Sequence, residues 1–209
     1  MTDTAARAEP LSREAVVDAA LRLVEDEGVP ALTMRRVAAE LGVAVTAIYW
    51  HVGNRDALLD ELVDRIVADI GAIRPSGSTP VDRISSVARS LRRKLLARPH
   101  VVGLAHERGV TSIMFQPAQA VLARELTKVG VHGERAALAV QAVQFHVIGA
   151  VILERAAGRG PSADAQRAPT WRDVRGLDAE LVARLAAPPD HDAVFELGLR
   201  SLVASLVGG

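Results

Sequence analysis

Residues Thr33–Arg55 read TMRRVAAELGVAVTAIYWHVGNR, and this stretch decides how the first part of the chain folds. Helix-favouring residues occupy its first third and stop at Gly42. A second short run, apolar and aromatic, covers residues 44–51 and stops at Gly53. Glycine can take a positive φ without a Cβ clash, so Gly42 suits a tight turn. Two short helices joined by such a turn predict a helix-turn-helix, whose second helix can enter the major groove of DNA.

The composition is that of a soluble globular protein. Among 209 residues, 49% are hydrophobic and 24% are charged, which allows one large domain or two small ones. Only 3% are aromatic, so the core must consist mainly of Leu, Val, Ala and Ile. The absence of cysteine excludes disulfides and thiolate chemistry. Because the N-terminus lacks the apolar core of a signal peptide and no run approaches the length of a membrane span, we expect a cytoplasmic protein with no membrane partner.

The distribution of charge argues against a plain nucleic-acid binder. Basic and acidic residues are equal in number, 25 each, over the whole chain. Residues 1–75 contain 8 basic and 13 acidic residues, which gives that part a net charge of −5. In the window 28–55, however, three arginines stand against a single acidic residue. A DNA-contacting surface would therefore be a small basic island on an acidic body.

Helical periodicity continues on both sides of the helix-turn-helix. Ser12 is a good N-cap for a first helix, in which apolar residues recur at helical spacing until Gly28. Asn54 can cap a fourth helix with an apolar stripe, and the first three helices can close a small core. The inward-facing residues of helices 1, 2 and 4 are predicted to be Val16, Val17, Ala20, Leu21, Val24, Val37, Ala38, Leu41, Leu58, Leu59, Leu62, Ile66 and Ile70.

The remainder of the chain, after a linker at 75–80, is also predicted to be helical. Its helices are predicted over 81–97, 101–108, 116–129, 134–157 and 193–207, with a short helix at 178–187 inside an expected mobile loop, 158–192. The helix over 134–157 is apolar around most of its circumference, so it must be covered on several sides. The helices 134–157 and 193–207 could pack on their symmetry mates as a four-helix bundle, which predicts a homodimer. No strand pattern emerges, so the fold class is all-α.

Three segments within residues 12–70 resemble the N-terminal domain of the TetR (tetracycline repressor) family of bacterial regulators. They are AALRLVEDEG, ALTMRRVAAELGV and AIYWHVGNRDALLDEL. Similarity after residue 76 is loose and rests on RPHVVGLAHERG and AVQAVQFHVIGAVILE. The resemblance implies a helix-turn-helix DNA-binding domain at 1–53, a connecting helix at 54–75, and a larger helical ligand-binding and dimerisation domain at 76–209. It also implies a homodimeric repressor that leaves a pseudo-palindromic operator on double-stranded DNA when a small-molecule effector binds.

DNA contacts are expected in the helix-turn-helix and just after it. Arg35 resembles a family residue that reaches a base edge, where arginine can pair with guanine; a solvated surface charge is the alternative. Tyr49 and His51 are expected to contact phosphates, whereas Trp50 could lie in the core or in the interface. The predicted DNA-binding residues are Thr33, Arg35, Arg36, Ala44, Val45, Thr46, Ala47, Tyr49, Trp50, His51, Asn54 and Arg55.

Several of these residues have a second expected role. Thr33 can cap the second helix with or without a phosphate contact, and Asn54 can cap the fourth. Arg55 resembles the family's phosphate-binding lysine, placed at a helix N-terminus where an anion is favoured. Residues 44–47 offer only methyl groups and one hydroxyl, which suit thymine methyl groups. The tetracycline repressors have polar side chains here, so their operator sequence does not carry over.

The effector pocket is expected to differ from that of the tetracycline repressors, which hold drug and magnesium through polar side chains. Gly71, Val87, Leu91 and Leu122 occupy the positions of several of those polar groups, so neither tetracycline nor magnesium is carried over. We expect a largely apolar effector, oriented by a few polar groups. The predicted effector-binding residues are Leu91, His106, Gln119, Leu122, Val140 and Gln144.

Two of the polar candidates have competing explanations. Gln144, the first choice as orienting group, could equally form an interhelical hydrogen bond at the dimer interface. His106 resembles the family's magnesium-binding histidine, but an exposed histidine at a helix end is the favoured explanation.

No pattern of residues points to catalysis or to a resident metal. His100 and His106 are six residues apart and do not share a helix face. HExxH, GxSxG and a glycine-rich phosphate loop are absent from the sequence. We therefore expect no enzyme activity, no cofactor and no metal. The alternative function is that of an α-helical enzyme or ligand carrier with an idle helix-turn-helix domain. The acidic first 75 residues favour this alternative slightly, and the intact helix-turn-helix motif disfavours it strongly.

Overall fold

The computed structural model describes residues 11–100, 104–105, 108–109, 111–157 and 176–208. These residues form α-helices and one short 3-10 helix, with no strand among them, so the predicted all-α fold is confirmed. The chain divides into two compact parts, which we call unit 1 (residues 1–69 with 98–115) and unit 2 (residues 70–97 with 116–209). The functional division at residues 53 and 75 remains a prediction.

Unit 1 contains the helix-turn-helix. Its helices are α1 (Arg13–Glu27), a 3-10 turn (Val29–Ala31), α2 (Met34–Leu41), α3 (Val45–Val52) and most of α4 (Arg55–Gly71).

Short polar side chains fix the starts of three of these helices. The Oγ of Ser12 accepts from the Ala15 amide at 3.1 Å, and the Oγ1 of Thr33 accepts from the Arg36 amide at 3.2 Å. The Oδ1 of Asn54 accepts from the Ala57 amide at 2.8 Å. All three predicted caps are present, each satisfying an amide that has no partner within its helix.

The turn between α2 and α3 is left-handed at one residue. Gly42 has φ 65° and ψ 30°, a conformation that other residues rarely adopt. Its amide closes α2 by donating to the Ala38 and Ala39 carbonyls.

The helices of unit 1 close on fully buried aliphatic side chains, each worth roughly 1.5–3 kcal/mol for a residue the size of Val or Leu. Those at most 1% exposed include Val16, Ala20, Val24, Val37, Ile48, Leu58, Leu59 and Leu62. Leu21 and Leu41, predicted to face inward, are only partly buried. The inward positions beside Leu21 are taken by Ala19 and Leu23.

Unit 2 is a bundle of longer helices. They are α5 (Pro80–Ala97), α6 (Thr111–Lys128, whose first five residues belong to unit 1), α7 (Gly133–Ala157), α8 (Ala179–Ala186) and α9 (His191–Val207). Helices α5, α7 and α9 pack on one another through buried stripes. The stripes include Ile84, Val87, Ala88, Leu91, Leu95, Ala139, Val143, Val147, Val151, Phe195, Leu199 and Val203.

Helix boundaries follow the predictions except at two starts. α9 begins two residues early because Asp190 caps it, accepting from the Ala193 amide at 2.9 Å. α6 begins at Thr111, five residues before the predicted start at residue 116, and passes through Pro117. Met114 and Phe115, each 1% exposed, hold the turn before the proline. The predicted helix 101–108 lies largely outside the described residues, as does the segment 158–175 of the predicted loop.

Helix α7 is long and apolar enough to cross a membrane by length and composition alone. An 18-residue window in it has a mean hydropathy of 1.9, and 28% of that window is buried. The expectation that no run approaches the length of a membrane span is therefore wrong for this helix. Core helices of soluble proteins have the same property, and α7 already packs one face on α5 and α9.

Candidate DNA-binding surface and effector cavity

Helix α3 is anchored on one side and open on the other. Ile48 and Val52 are 0% and 4% exposed, so both belong to the core. Tyr49 and Trp50 are 49% and 82% exposed, which places Trp50 on the surface and not in the core. The rings of Trp50 and His51 meet edge to face with centroids 4.9 Å apart.

The N-terminal turn of α3 presents small side chains. Ala44 and Thr46 are exposed, while Val45 and Ala47 are partly buried. Two of the four predicted contact residues at this end therefore have free methyl or hydroxyl groups. These are the groups that can meet a thymine methyl or a phosphate.

The two arginines of α2 differ in their surroundings. Arg35 is exposed and, within the described part of the chain, forms no ion pair. Arg36 pairs through both terminal nitrogens with the Glu27 carboxylate, with Nη1 2.7 Å from Oε2. This hydrogen bonding lowers the pKa of Glu27 and raises the pKa of Arg36. Arg35 is thus the arginine of α2 with its guanidinium available.

The guanidinium of Arg55 forms hydrogen bonds within the protein. Its Nε donates to the Leu32 carbonyl at 2.9 Å, and its Nη2 donates to the Val29 carbonyl at 3.2 Å. These bonds tie the turn between α1 and α2 to the start of α4. Arg55 therefore positions the helix-turn-helix, a role that the sequence did not reveal because backbone carbonyls carry no sequence signature.

Arginines from the segment 98–115 pair with acidic residues of α1 and α4 in unit 1. Arg98 lies 2.8 Å from Glu25 and 2.5 Å from Asp69. Arg108 hydrogen-bonds Asp60, its strongest partner, and Asp56 at 3.1 Å, and both raise its pKa. Part of the acidic excess that argued against DNA binding is therefore compensated by arginines beyond residue 75.

In unit 2, a cavity of about 440 Å³ lies between α6 and α7. It is lined by Gln116, Gln119, Ala120, Ala123, Gly133, Ala136, Ala137, Val140 and Gln141. Two of the predicted effector residues, Gln119 and Val140, are in this lining, while Gln116 and Gln141 had not been predicted. No charged side chain lines the cavity. We call it the amide cavity.

Gln144, a third predicted effector residue, adjoins the amide cavity because it is hydrogen-bonded to Gln119. The Nε2 of Gln119 donates to the Oε1 of Gln144, so both predicted orienting groups meet between α6 and α7. Leu91 and Leu122 are each 1% exposed and belong to the packed interior. A Cβ at Gly71 would lie 3.1 Å from the Cβ of Pro117, which leaves little room for a larger side chain. His106 lies outside the described residues.

Helices α7 and α9 carry large apolar side chains that unit 2 does not cover. Leu138, Phe145 and Ile152 of α7 are 59%, 69% and 55% exposed and recur every seven residues. On α9, Val194 and Leu197 are 62% and 64% exposed. We call this the α7/α9 face.

A cavity of about 280 Å³ opens on the α7/α9 face. It is lined by Phe145, His146, Gly149, Ala150, Leu153, His191, Val194 and Phe195. Behind it, the His146 and Phe195 rings stack with centroids 5.0 Å apart, and His146 Nε2 lies 3.0 Å from the Phe195 carbonyl oxygen. Within the described ranges, no three His, Cys, Asp or Glu side chains are grouped as a metal site would require.

Comparison with known proteins covers nearly the whole chain. Residues 16–62 match the family model described as bacterial regulatory proteins, tetR family. Residues 76–207 match the model described as tetracyclin repressor-like, C-terminal domain.

Individual relatives agree with both models. The chain is 31% identical over 204 residues to the tetracycline repressor protein class C of Escherichia coli, covering 94% of this chain and 90% of the relative. Among solved structures, apo ActR from Streptomyces coelicolor is 28% identical, with a TM-score of 0.71 and coverage of 96% of each chain. ActR in complex with actinorhodin has the same identity and TM-score, with coverage of 96% and 98%.

Proposed function

The chain belongs to the TetR family of bacterial regulatory proteins, and we propose that it is a homodimeric repressor that leaves its operator when a small molecule binds unit 2. TetR-family regulators bind DNA and small-molecule effectors. Such a protein acts in the cytoplasm, where it reaches chromosomal DNA, and needs no catalytic centre.

The single observation that carries the DNA-binding proposal is the orientation of α3. Ile48 and Val52 fix the helix on the core, while Ala44, Thr46 and Tyr49 face outward. Ala44 and Thr46 would contact base edges, and Tyr49 would contact a phosphate.

Flanking residues would complete this interface. Exposed Arg35 would reach guanine, and Trp50 and His51 would lie along the phosphate backbone. Thr33 and Asn54 would combine their caps with a phosphate contact, as helix N-termini favour anions.

The α7/α9 face supports the dimer. Leu138, Phe145 and Ile152 lie at a seven-residue spacing, and Val194 and Leu197 extend the same apolar surface. A seam of this period packs well against a second helix pair, which gives a four-helix bundle of two protomers. A two-fold dimer presents two α3 helices about 34–36 Å apart to the halves of a pseudo-palindromic site.

The amide cavity supports a neutral and largely apolar effector. Its lining combines alanines and Val140 with the amides of Gln116, Gln119 and Gln141, and it has no charged group to neutralise an ionised ligand. Amides can orient a ketone, hydroxyl or amide group, since they donate and accept. An effector releases DNA only if it binds better to a conformation with altered α3 spacing, and such coupling is typically about 1–3 kcal/mol.

Selection of bound fragments from random duplex DNA, followed by gel shifts, tests this function. We expect one pseudo-palindromic sequence to be enriched. Arg35→Ala should weaken binding to that sequence by about 1–3 kcal/mol while the dimer stays intact. Tyr49→Ala should weaken binding similarly on all sequences. Arg124→Ala, which removes an exposed arginine of α6, is the matched control.

Repeating the selection with a panel of neutral metabolites tests the effector. Release of the operator DNA by one of these metabolites supports a ligand-responsive repressor. A chain that binds every duplex equally weakly at physiological salt contradicts the proposal. If it also binds a metabolite, the result favours the alternative of a ligand carrier or enzyme.

A further inference from the structure

A third opening of unit 2, a cleft of about 350 Å³, lies between α5 and α9. It is lined by Arg89, Arg92, Arg93, Leu96, Phe195 and Glu196. None of these residues lines the amide cavity or was predicted to bind the effector. The volume is in the range of small-molecule sites. We call it the arginine cleft.

Three arginines and one carboxylate, Glu196, line the arginine cleft. Arg89, Arg92 and Arg93 are spaced i, i+3 and i+4 on α5, so they share one face of the helix. The chain's own carboxylates already occupy part of this face. Arg89 forms a two-pronged pair with Glu196 at 2.6 and 2.7 Å. Arg92 pairs with two carboxylates, with Nη1 2.5 Å from Asp192 and Nη2 2.7 Å from Glu154.

These pairs leave guanidinium capacity unused. Arg93 is exposed, and its hydrogen-bond partner in the described part of the chain is the Ser90 hydroxyl at 3.3 Å. The Nε of Arg92 is buried without a hydrogen-bond partner among the described residues. Buried donors of this kind are uncommon in native proteins. Arg93 can therefore bind a further anion, and Arg92 can share that anion when Asp192 gives up its place.

The apolar part of the lining limits the shape of such a ligand. The Arg92 guanidinium lies 4.7 Å from the centroid of the Phe195 ring, and His146 stacks on that ring at 5.0 Å. Its faces are therefore occupied and the ring is only 1% exposed, so the partly buried Leu96 is the side chain that offers apolar surface to a ligand. This surface suits a body the size of one ring or a short chain.

We propose that the arginine cleft binds a small amphiphilic anion, with a carboxylate or phosphate group at Arg92 and Arg93 and an apolar body against Leu96. Asp192 is the internal competitor. Its side chain is 83% exposed, so it returns to water at little cost when a ligand anion replaces it at Arg92. This site is separate from the amide cavity, and its existence does not depend on DNA binding.

Titration calorimetry on the full chain with four probes tests the proposal. Phenylacetate and phenyl phosphate carry the anion and the ring, phenylacetamide is the neutral match, and inorganic phosphate lacks the ring. We expect saturable binding of one or both aryl anions and at least about tenfold weaker binding of phenylacetamide and of inorganic phosphate. Tighter binding of phenyl phosphate identifies a phosphate monoester as the ligand class, and tighter binding of phenylacetate identifies a carboxylate.

Two variants assign the binding to the arginine cleft because they shift affinity in opposite directions. Arg93→Gln should weaken the aryl anion about tenfold, and Asp192→Asn should strengthen it several-fold by removing the competitor. A folding defect cannot produce the tighter binding expected for Asp192→Asn. Arg124→Gln, on α6, should leave the affinity unchanged. Equal binding of phenylacetamide, no effect of Arg93→Gln, or no saturable heat up to about 10 mM of either aryl anion would overturn the proposal.

Discussion

The side chain of Gln119 on α6 donates a hydrogen bond to the side chain of Gln144 on α7, beside the amide cavity. Both glutamines were predicted as orienting groups for an effector, and Gln144 alternatively as an interhelical hydrogen bond. The observed bond is interhelical but lies within one protomer. The two explanations are therefore compatible, since a ligand with a carbonyl or hydroxyl group could exchange with either amide.

Removing both glutamines should cost less stability than the sum of the two single losses. Gln119→Leu or Gln144→Leu leaves a partly buried amide without its partner, and we expect each to lower the free energy of unfolding by about 1–2 kcal/mol. The double variant should lose less than the sum of the two, because no orphaned amide remains. Urea unfolding of the four proteins measures this coupling. Strict additivity would show that the two side chains do not interact.

Arg55 should be required for the stability of unit 1 independently of DNA. Because its guanidinium bonds the carbonyls of Leu32 and Val29, Arg55→Ala should destabilise the protein by about 1–3 kcal/mol without any duplex present. Arg55→Lys keeps the charge but not the two-pronged geometry, so it should recover only part of this loss. Thermal unfolding of both variants, with Arg22→Ala as an exposed control on α1, provides the measurement. Full stability in Arg55→Lys would mean that the carbonyl contacts are dispensable.

Local features of the chain were predictable and long-range ones were not. Ser12, Thr33 and Asn54 cap helices through bonds to amides three residues ahead, so their roles can be recognised within a few residues of sequence. Arg55 reaches carbonyls 23 and 26 residues away, and no residue type marks those acceptors. Such contacts depend on the packed arrangement and not on the neighbouring sequence.

The same distinction between local and long-range features applies to the candidate site. The exposed and buried positions of α3 follow from helical periodicity around the buried Ile48, which is a local feature of the sequence. The amide cavity depends on how α6 and α7 cross, and Gln116 and Gln141 show no periodic signal of their own. The continuation of α6 through Pro117 also required the packing of Phe115, which local propensity does not include.

The buried carboxylate of Glu125 should make stability depend on acid pH. Hydrogen bonds from Arg83 at 2.6 and 3.0 Å, aided by Lys128, outweigh burial and lower the pKa of Glu125 from 4.5 to about 2. Since the folded pKa lies below the unfolded one, this contribution is complete above pH 4.5 and is lost as pH falls towards 2. Glu125→Gln should therefore reduce stability at pH 7 by about 1–3 kcal/mol.

The test for Glu125 is a comparison of pH profiles. Urea unfolding between pH 7 and pH 3.5 should show the gap between wild type and Glu125→Gln narrowing as the pH falls. Glu180→Gln, which changes an exposed carboxylate of α8, should follow the wild-type profile. A gap that stays constant over this range would show that Glu125 titrates normally in the folded protein.

Gly198 should not tolerate even a methyl group. A Cβ at this position would lie 2.5 Å from Cε1 of His146, whose ring stacks on Phe195. Gly198→Ala must displace the imidazole, and we expect a net loss of about 1–2 kcal/mol despite the higher helix propensity of alanine. Ser201→Ala, at an exposed position of the same helix, should change stability by less than about 0.5 kcal/mol. Calorimetric melting of both variants decides the matter, and a stabilised Gly198→Ala would contradict the close approach.

The proposed dimer requires that the α7/α9 face be buried between two protomers. Phe145 and Leu197 are 69% and 64% exposed within one protomer, so in a monomer either could be replaced by glutamate with little loss of stability. In a four-helix bundle of two protomers, the same change would bury a charge against its own symmetry copy, which costs several kcal/mol. Phe145→Glu and Leu197→Glu should therefore sediment as folded monomers where the wild type sediments as a dimer. Both variants should also bind the operator more weakly, because a single α3 engages one half-site only.

Arg124→Glu introduces a similar charge on α6, outside the α7/α9 face, and should remain dimeric and bind the operator. A dimer that survives both α7/α9 variants would require a different interface, and with it a different spacing of the two α3 helices.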